Sequence, residues 1–146
     1  FTLSAKILFK KSNLGSGQGW HRDTFKPYQF KAMVYLSDVS KENGPFQILQ
    51  NTNKKFSLLE NFLNYNLPHN KNRFSEEEIL KMSSDKKIIT FNGNKGDLII
   101  FNSYCIHRGS PLKKGIRYAL TNYYFPENYI EKNKKLMISK FNLPLK

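Results

Sequence analysis

Apolar and polar positions alternate in short runs along most of the chain, and glycine-rich or Asn-Gly steps separate the runs. Residues 2–11 alternate from the outset and predict a first strand. Asn13-Leu14-Gly15-Ser16-Gly17-Gln18-Gly19 then predicts a glycine-rich loop that delivers Trp20 and the triplet His21-Arg22-Asp23. Phe30 to Val39 predicts a second strand, Asn43-Gly44-Pro45 a turn, and Phe46 to Gln50 a third strand. Between 55 and 82 the period changes. Lys55 to Tyr65 places Leu58, Leu59, Phe62 and Leu63 on one helical face, and the step Leu67-Pro68 should end that helix. Ser75 with Glu78 three residues later is a capping-box pattern, so Ser75 to Met82 predicts a second short helix. Strands resume at Lys87 to Asn92, Leu98 to Asn102, Ile106 to Arg108 and Arg117 to Phe125. The tail after Pro126 has no clear period. Short strands with glycine turns predict an all-β core, an antiparallel sandwich or jelly roll, with a short helical insertion around 55–82. That insertion is expected either to cover a pocket as a lid or to pack statically.

A chain of 146 residues predicts a single domain over 1–146. Twelve Phe and eight Tyr are too many for a disordered chain. The chain is strand-like from its first residues and has no initiator Met, so upstream sequence is expected. No apolar run approaches the roughly 20 residues that cross a bilayer, and nothing has the form of a signal peptide. One cysteine, Cys105, rules out an intrachain disulfide framework and is expected to pack; a cytoplasmic setting follows as an expectation. The net charge is +13. Nearly all the positive charge is lysine, scattered with short pairs such as Lys10-Lys11, Lys54-Lys55 and Lys134-Lys135. That scatter argues against a nucleic-acid partner and favours an acidic small substrate drawn in by the field.

The chemistry concentrates in few residues. Two histidines and one carboxylate are the ligand set of a non-haem Fe(II) oxygenase, and His21, Asp23 and His107 supply it. Side chains at i and i+2 of an extended segment share a face, so His21 and Asp23 can converge on one metal while His107 arrives from another strand. Three coordination positions then stay open, two for the 2-oxo and carboxylate oxygens of 2-oxoglutarate and one for O2. Zn(II) accepts the same ligands but brings no redox chemistry. A His-x-Asp pair alone is also an ordinary surface pair, so the reading leans on Arg117. Its strand places Arg117, Ala119, Thr121, Tyr123 and Phe125 on one face. The guanidinium fork suits the far carboxylate of the co-substrate, and Thr121 can add a further bond. Ser110, Tyr35 and Gln18 are lesser co-substrate candidates, each with an ordinary reading as a turn or sheet residue. His69 has no carboxylate two residues on and is expected in an exposed loop. Arg22 should point away from its neighbours, Trp20 should pack at the barrel rim, and Asp97 should fix its turn.

These residues sit in GQGWHRDT, VYLSDVSKENGPFQI and NKGDLIIFNSYCIHRGSPLKKGIRYALTNYYF. Together these segments resemble the phytanoyl-CoA dioxygenase-like branch of the Fe(II)/2-oxoglutarate oxygenases, over about residues 17–125. The resemblance implies a double-stranded β-helix, a cupin-like jelly roll. It implies iron ligation by His21, Asp23 and His107, 2-oxoglutarate binding by Arg117, and hydroxylation of a small organic substrate with release of succinate and CO2. Two places depart from the pattern. Gln50-Asn51-Thr52-Asn53 stands where relatives carry Pro-Gly-Ser-His. Gly109 stands two residues after the distal histidine, where relatives often carry Ser. The prolyl-hydroxylase-like branch has a similar ending. Other readings of the same residues are another metal-dependent cupin-like enzyme and a jelly roll that binds a small molecule without turnover.

Overall fold

The computed structural model describes residues 2–8, 10–23, 29–54 and 57–126; the tail after Pro126 lies outside the described residues. In chain order the described elements are β1 (Thr2–Leu8), β2 (Trp20–His21), β3 (Phe30–Tyr35), β4 (Phe46–Leu49), α1 (Ser57–Tyr65), β5 (Arg73–Phe74), α2 (Glu76–Met82), β6 (Ile88–Phe91), β7 (Leu98–Asn102), β8 (His107–Gly109) and β9 (Ile116–Tyr124). They form two antiparallel sheets, β1-β9-β3-β7 and β5-β2-β8-β4-β6. This is the expected jelly roll, a double-stranded β-helix with a helical insertion. Two strands went unforeseen. β2 and β5 are two residues each, too short to show a period, and pair with each other through Trp20↔Phe74 and His21↔Arg73.

The inner faces meet around Tyr35, Val39 and Phe46, with Met33, Ile48, Phe91, Ile99 and Phe101 packed against them. The outer face of the five-stranded sheet is covered by the insertion. Trp20, Leu49, Phe74 and Ile106 pack there with Leu67, Ile79 and Met82. The insertion is therefore mainly a packing element on the far side of that sheet, and its two helices do not line the cavity between the sheets. Ser75 does cap α2 in a full capping box with Glu78. α1 ends as expected before Pro68. Asn66 adopts a left-handed backbone (φ 53°) and its amide returns to the Phe62 carbonyl as an αL cap, while the Leu67 amide reaches the Asn61 carbonyl. Its buried face differs from the expected one. Leu59, Phe62 and Leu63 are exposed, and Asn61 is the buried residue. Asp97 fixes its turn through the Asn94 amide, and His69 is exposed in a loop.

Candidate metal centre

His21 on β2 and His107 on β8 are direct cross-strand partners, with ring centroids 4.4 Å apart. Directly opposed residues of an antiparallel pair face the same side, which turns both rings inward. Asp23 follows β2, where its amide bonds to the Ser103 carbonyl at 3.2 Å. One ligand atom from each of the three residues lies within 4.8 Å of the others. Each imidazole is oriented by the same device. His21 Nδ1 donates to the Gly19 carbonyl and His107 Nδ1 to the Cys105 carbonyl, both at 2.9 Å and both two residues earlier. A carbonyl only accepts, so each Nδ1 carries a proton, and each Nε2 is the nitrogen left to ligate a cation once the ring is neutral. Those nitrogens stand 3.6 Å (His21) and 3.3 Å (His107) from the Asp23 carboxylate oxygens. Two neutral nitrogens and one carboxylate facing a common point fit a divalent cation.

Electrostatics keep the set in its ligating form. Burial alone would raise the Asp23 carboxyl, but hydrogen bonding to His107 and His21 and the nearby Lys31 charge outweigh it. The group is held well below the usual carboxylate range. Burial lowers the His107 imidazole against the pull of Asp23 and so favours the neutral ring. Lys31, on the inner face of β3, is a buried lysine that the strand pattern left unremarked. Its Nζ lies 2.5 Å from Asp23 Oδ2 and 4.5 Å from the centre of the Tyr123 ring. Burial lowers its pKa while Asp23 opposes the shift. It lies on Oδ2, the oxygen that His107 Nε2 also approaches, while Oδ1 faces His21.

Arg117 on β9 is also buried and lines the same cavity of about 480 Å³. One guanidinium nitrogen donates to Ser16 Oγ at 2.7 Å, while Nε and the other terminal nitrogen are buried without a partner. Burial pushes this guanidinium's pKa down. Two buried N–H donors without a partner, on an arginine that lines the cavity, leave it short of the acceptors that an incoming carboxylate would supply. Ser16 is the residue that motif reasoning missed. A Cβ built on Gly109 would fall on Ser16 Oγ and lie 2.5 Å from an Arg117 terminal nitrogen. The loop hydroxyl therefore fills the space that a side chain at 109 would take. The Gly109 amide bonds to the Ser16 carbonyl at 3.3 Å and ties the loop to β8. Gly17, left-handed at φ 79°, leaves room for the His21 ring, which a Cβ there would strike.

The other candidates divide. Thr121 lines the cavity with Ala119 and Tyr123, on the same strand face as Arg117. Tyr35 does not; its hydroxyl donates to the Phe91 carbonyl and accepts from the Phe46 amide, a core role. Ser110 is buried outside the lining, with its amide on the Pro45 carbonyl, and Gln18 is exposed. Arg22 turns into the interior and donates to the Thr52 and Tyr104 carbonyls. Cys105 is buried, with its thiol pushed up to about 12 by burial, and packs behind His107.

A double-stranded β-helix with an inward-facing cluster of two histidines and one carboxylate defines the class of metal-binding jelly rolls. Within that class, the family model for phytanoyl-CoA dioxygenase (PhyH) matches residues 1–117, and the chain belongs to this family. Solved structures agree on the fold. EvdMO1 superposes with a TM-score of 0.58 at 14% identity, covering 86% of this chain and 26% of that one. AviO1 from Streptomyces viridochromogenes Tue57 gives 0.55 at 15%, covering 86% and 52%. EctD from S. alaskensis, solved with bound Fe, gives 0.55 at 15%, covering 73% and 37%. The chain thus spans between about a quarter and about half the length of these structures. No curated protein sequence matches it.

Proposed function

We propose that the protein is an Fe(II)/2-oxoglutarate-dependent dioxygenase that hydroxylates a small organic substrate, with release of succinate and CO2. The observation that carries this reading is the placing of two unlike sites in one cavity. A neutral-nitrogen and carboxylate cluster stands at one place, and a buried arginine with two orphaned donors at another. A zinc hydrolase needs the first and has no use for the second. A binding module without turnover needs neither ionised Asp23 nor two lone pairs aimed at one point.

His21, Asp23 and His107 would hold the iron, and Arg117 with Ser16 would hold the far carboxylate of 2-oxoglutarate. Iron(II), when bound, supplies the redox chemistry with O2 that a jelly roll of ordinary side chains cannot. The chain's own work is orientation. The Gly19 and Cys105 carbonyls fix both imidazole tautomers, and Lys31 fixes the rotation of the Asp23 carboxylate. Arg117 spans one end of the cavity with a bidentate fork, and Thr121 offers a hydroxyl along the same face. Phe46, Phe101 and Met33 supply apolar wall, which limits water around the reacting centre. Among the described residues no helix is long and apolar enough to cross a membrane. The free, buried Cys105 is in keeping with a reducing, cytoplasmic setting.

The test uses protein prepared anaerobically with Fe(II). Binding of 2-oxoglutarate is followed by its absorption change at the metal, and succinate is measured after O2 is admitted. Wild type should bind and turn over slowly without substrate. His107→Ala should lose the metal-dependent signal, and Arg117→Ala should keep metal but weaken co-substrate binding by roughly a hundredfold, the loss of a bidentate charged contact. Wild type that holds iron yet gives no 2-oxoglutarate-dependent change would remove this reading and leave the other-metal one.

A further inference from the structure

The cavity has more positive charge than the metal and co-substrate use. Its lining holds the charged side chains Arg22, Asp23, Lys31, Arg73 and Arg117. Arg22 is buried and turns one terminal nitrogen to the interior Thr52 and Tyr104 carbonyls, with its Nε and other terminal nitrogen buried without a partner. Lys31 is matched by Asp23, and Arg117 faces the co-substrate end. Arg73 is left. It comes from β5, the edge strand that the insertion adds beside β2. The register His21↔Arg73 puts it on the same, inward face as the metal-site histidine, while its neighbour Phe74 pairs with Trp20 and points into the opposite core. Arg73 is exposed at the cavity mouth, next to Asn72. One terminal N–H donates to the Gly17 carbonyl, and among the described residues no carboxylate pairs with it. An arginine has five donors, so most of this fork is open to the cavity.

Resting on the oxygenase reading above, we propose that the substrate is an anion, and that Arg73 receives its acid group, a carboxylate or a phosphate monoester, at the mouth. The charge balance supports this. Asp23 against Arg22, Lys31, Arg73 and Arg117 leaves a surplus of three positive charges, and iron(II) with dianionic 2-oxoglutarate does not alter it. Directly opposed residues have Cβ atoms about 5 Å apart, so an acid held by Arg73 stays close to His21. The substrate carbon presented to the metal therefore lies a short chain away from the acid group. The insertion's contribution to specificity is one strand edge, not a lid.

The experiment uses chain loaded with Ni(II), a redox-inert stand-in for iron, and saturated with 2-oxoglutarate. Matched pairs are compared by saturation-transfer NMR: small carboxylic acids against their primary amides, and phosphate monoesters against the parent alcohols. The acids or the phosphates should bind and their neutral partners should not, and which series binds identifies the anion. Arg73→Gln should weaken the bound series by roughly tenfold to a hundredfold, the loss of one charged hydrogen-bonding partner. Its affinity for 2-oxoglutarate, which depends on Arg117, should be unchanged. Arg73→Lys should retain most of the binding. Anions bound no better than their neutral partners would overturn the proposal, as would Arg73→Gln that binds them like wild type. The acid–amide comparison on wild type needs no variant and decides even where Arg73→Gln loosens the Gly17 loop. 2-Oxoglutarate binding is measured first. Its absence would remove the oxygenase reading, while the anion comparison on the metal-loaded chain still decides whether the mouth selects charge.

Discussion

Moving one hydroxyl from the glycine-rich loop to β8 tests how Arg117 is held. Ser16 Oγ accepts from Arg117 at 2.7 Å, and it stands where a Cβ on Gly109 would fall. Three variants follow: Ser16→Ala, Gly109→Ser and the double change. Ser16→Ala removes a bond to a charged group, which is worth about 1.5–3 kcal/mol. Water can reach part of the vacated space, so the lower end applies, roughly a tenfold rise in the Kd for 2-oxoglutarate. Gly109→Ser alone should be worse. Its Cβ overlaps Ser16 Oγ and crowds the Arg117 fork, so both must move. In the double variant the obstructing oxygen is gone. After that oxygen, the nearest neighbours of a Cβ on Gly109 are two Arg117 guanidinium atoms, at 2.5 and 3.2 Å, so the Ser16 Cβ is no closer than the second of these. Only the tip of the arginine needs to shift, and the hydroxyl introduced by Gly109→Ser can take over the lost bond. The double variant should therefore bind 2-oxoglutarate within about threefold of wild type, with a coupling of at least about 1 kcal/mol of the restoring sign. The assay is titration of 2-oxoglutarate into anaerobic Fe(II) protein. Additive losses would refute the view that one hydroxyl position is filled from either strand.

Lys31→Met should destabilise the metal-free protein by about 2 kcal/mol in a urea titration, below the usual ~3–5 kcal/mol for a broken buried pair because Asp23 sits near solvent. Zn(II) should recover most of that loss by replacing the counter-charge; an unchanged urea midpoint for the metal-free variant would show that Asp23 does not need its lysine. The metal-free protein should also lose stability as pH falls below about 6.5, the ordinary histidine value. Burial holds the folded His107 pKa below that value, so in this range the unfolded chain takes up a proton that the folded chain resists. The contribution is fully present above about 6.5 and declines towards the lower folded value. His107→Gln should flatten that slope, and a slope identical to wild type would contradict the assignment.

How much of this was legible in the sequence depends on range. The i, i+2 spacing of His21 and Asp23 and the alternation after Arg117 are local, and the structure places His21, Asp23, Arg117, Ala119, Thr121 and Tyr123 around one cavity. The capping box and the turn before Pro68 are local too, and both formed. What a single chain segment cannot show is its partner. Leu59, Phe62 and Leu63 share a face of α1, yet the helix buries Asn61 instead, because the neighbouring sheet and α2 decide which side is covered. Gln18, Ser110 and Tyr35 were near the right motifs, but two bonds to backbone groups engage Tyr35 in the core. Lys31 did leave a trace, a lysine in phase with Met33 and Tyr35 on an inward strand face, and such a residue requires an anion opposite it. Ser16 left a fainter one, since a glycine where a hydroxyl is expected implies that something else fills the space. Arg73 left none. Its inward direction follows only from pairing with His21, from which β3, β4 and α1 separate it in the chain. Departures from pattern at a buried face are thus the useful signal, because each one requires a compensating group from elsewhere in the fold, as Gly109 does from Ser16 and Lys31 does from Asp23.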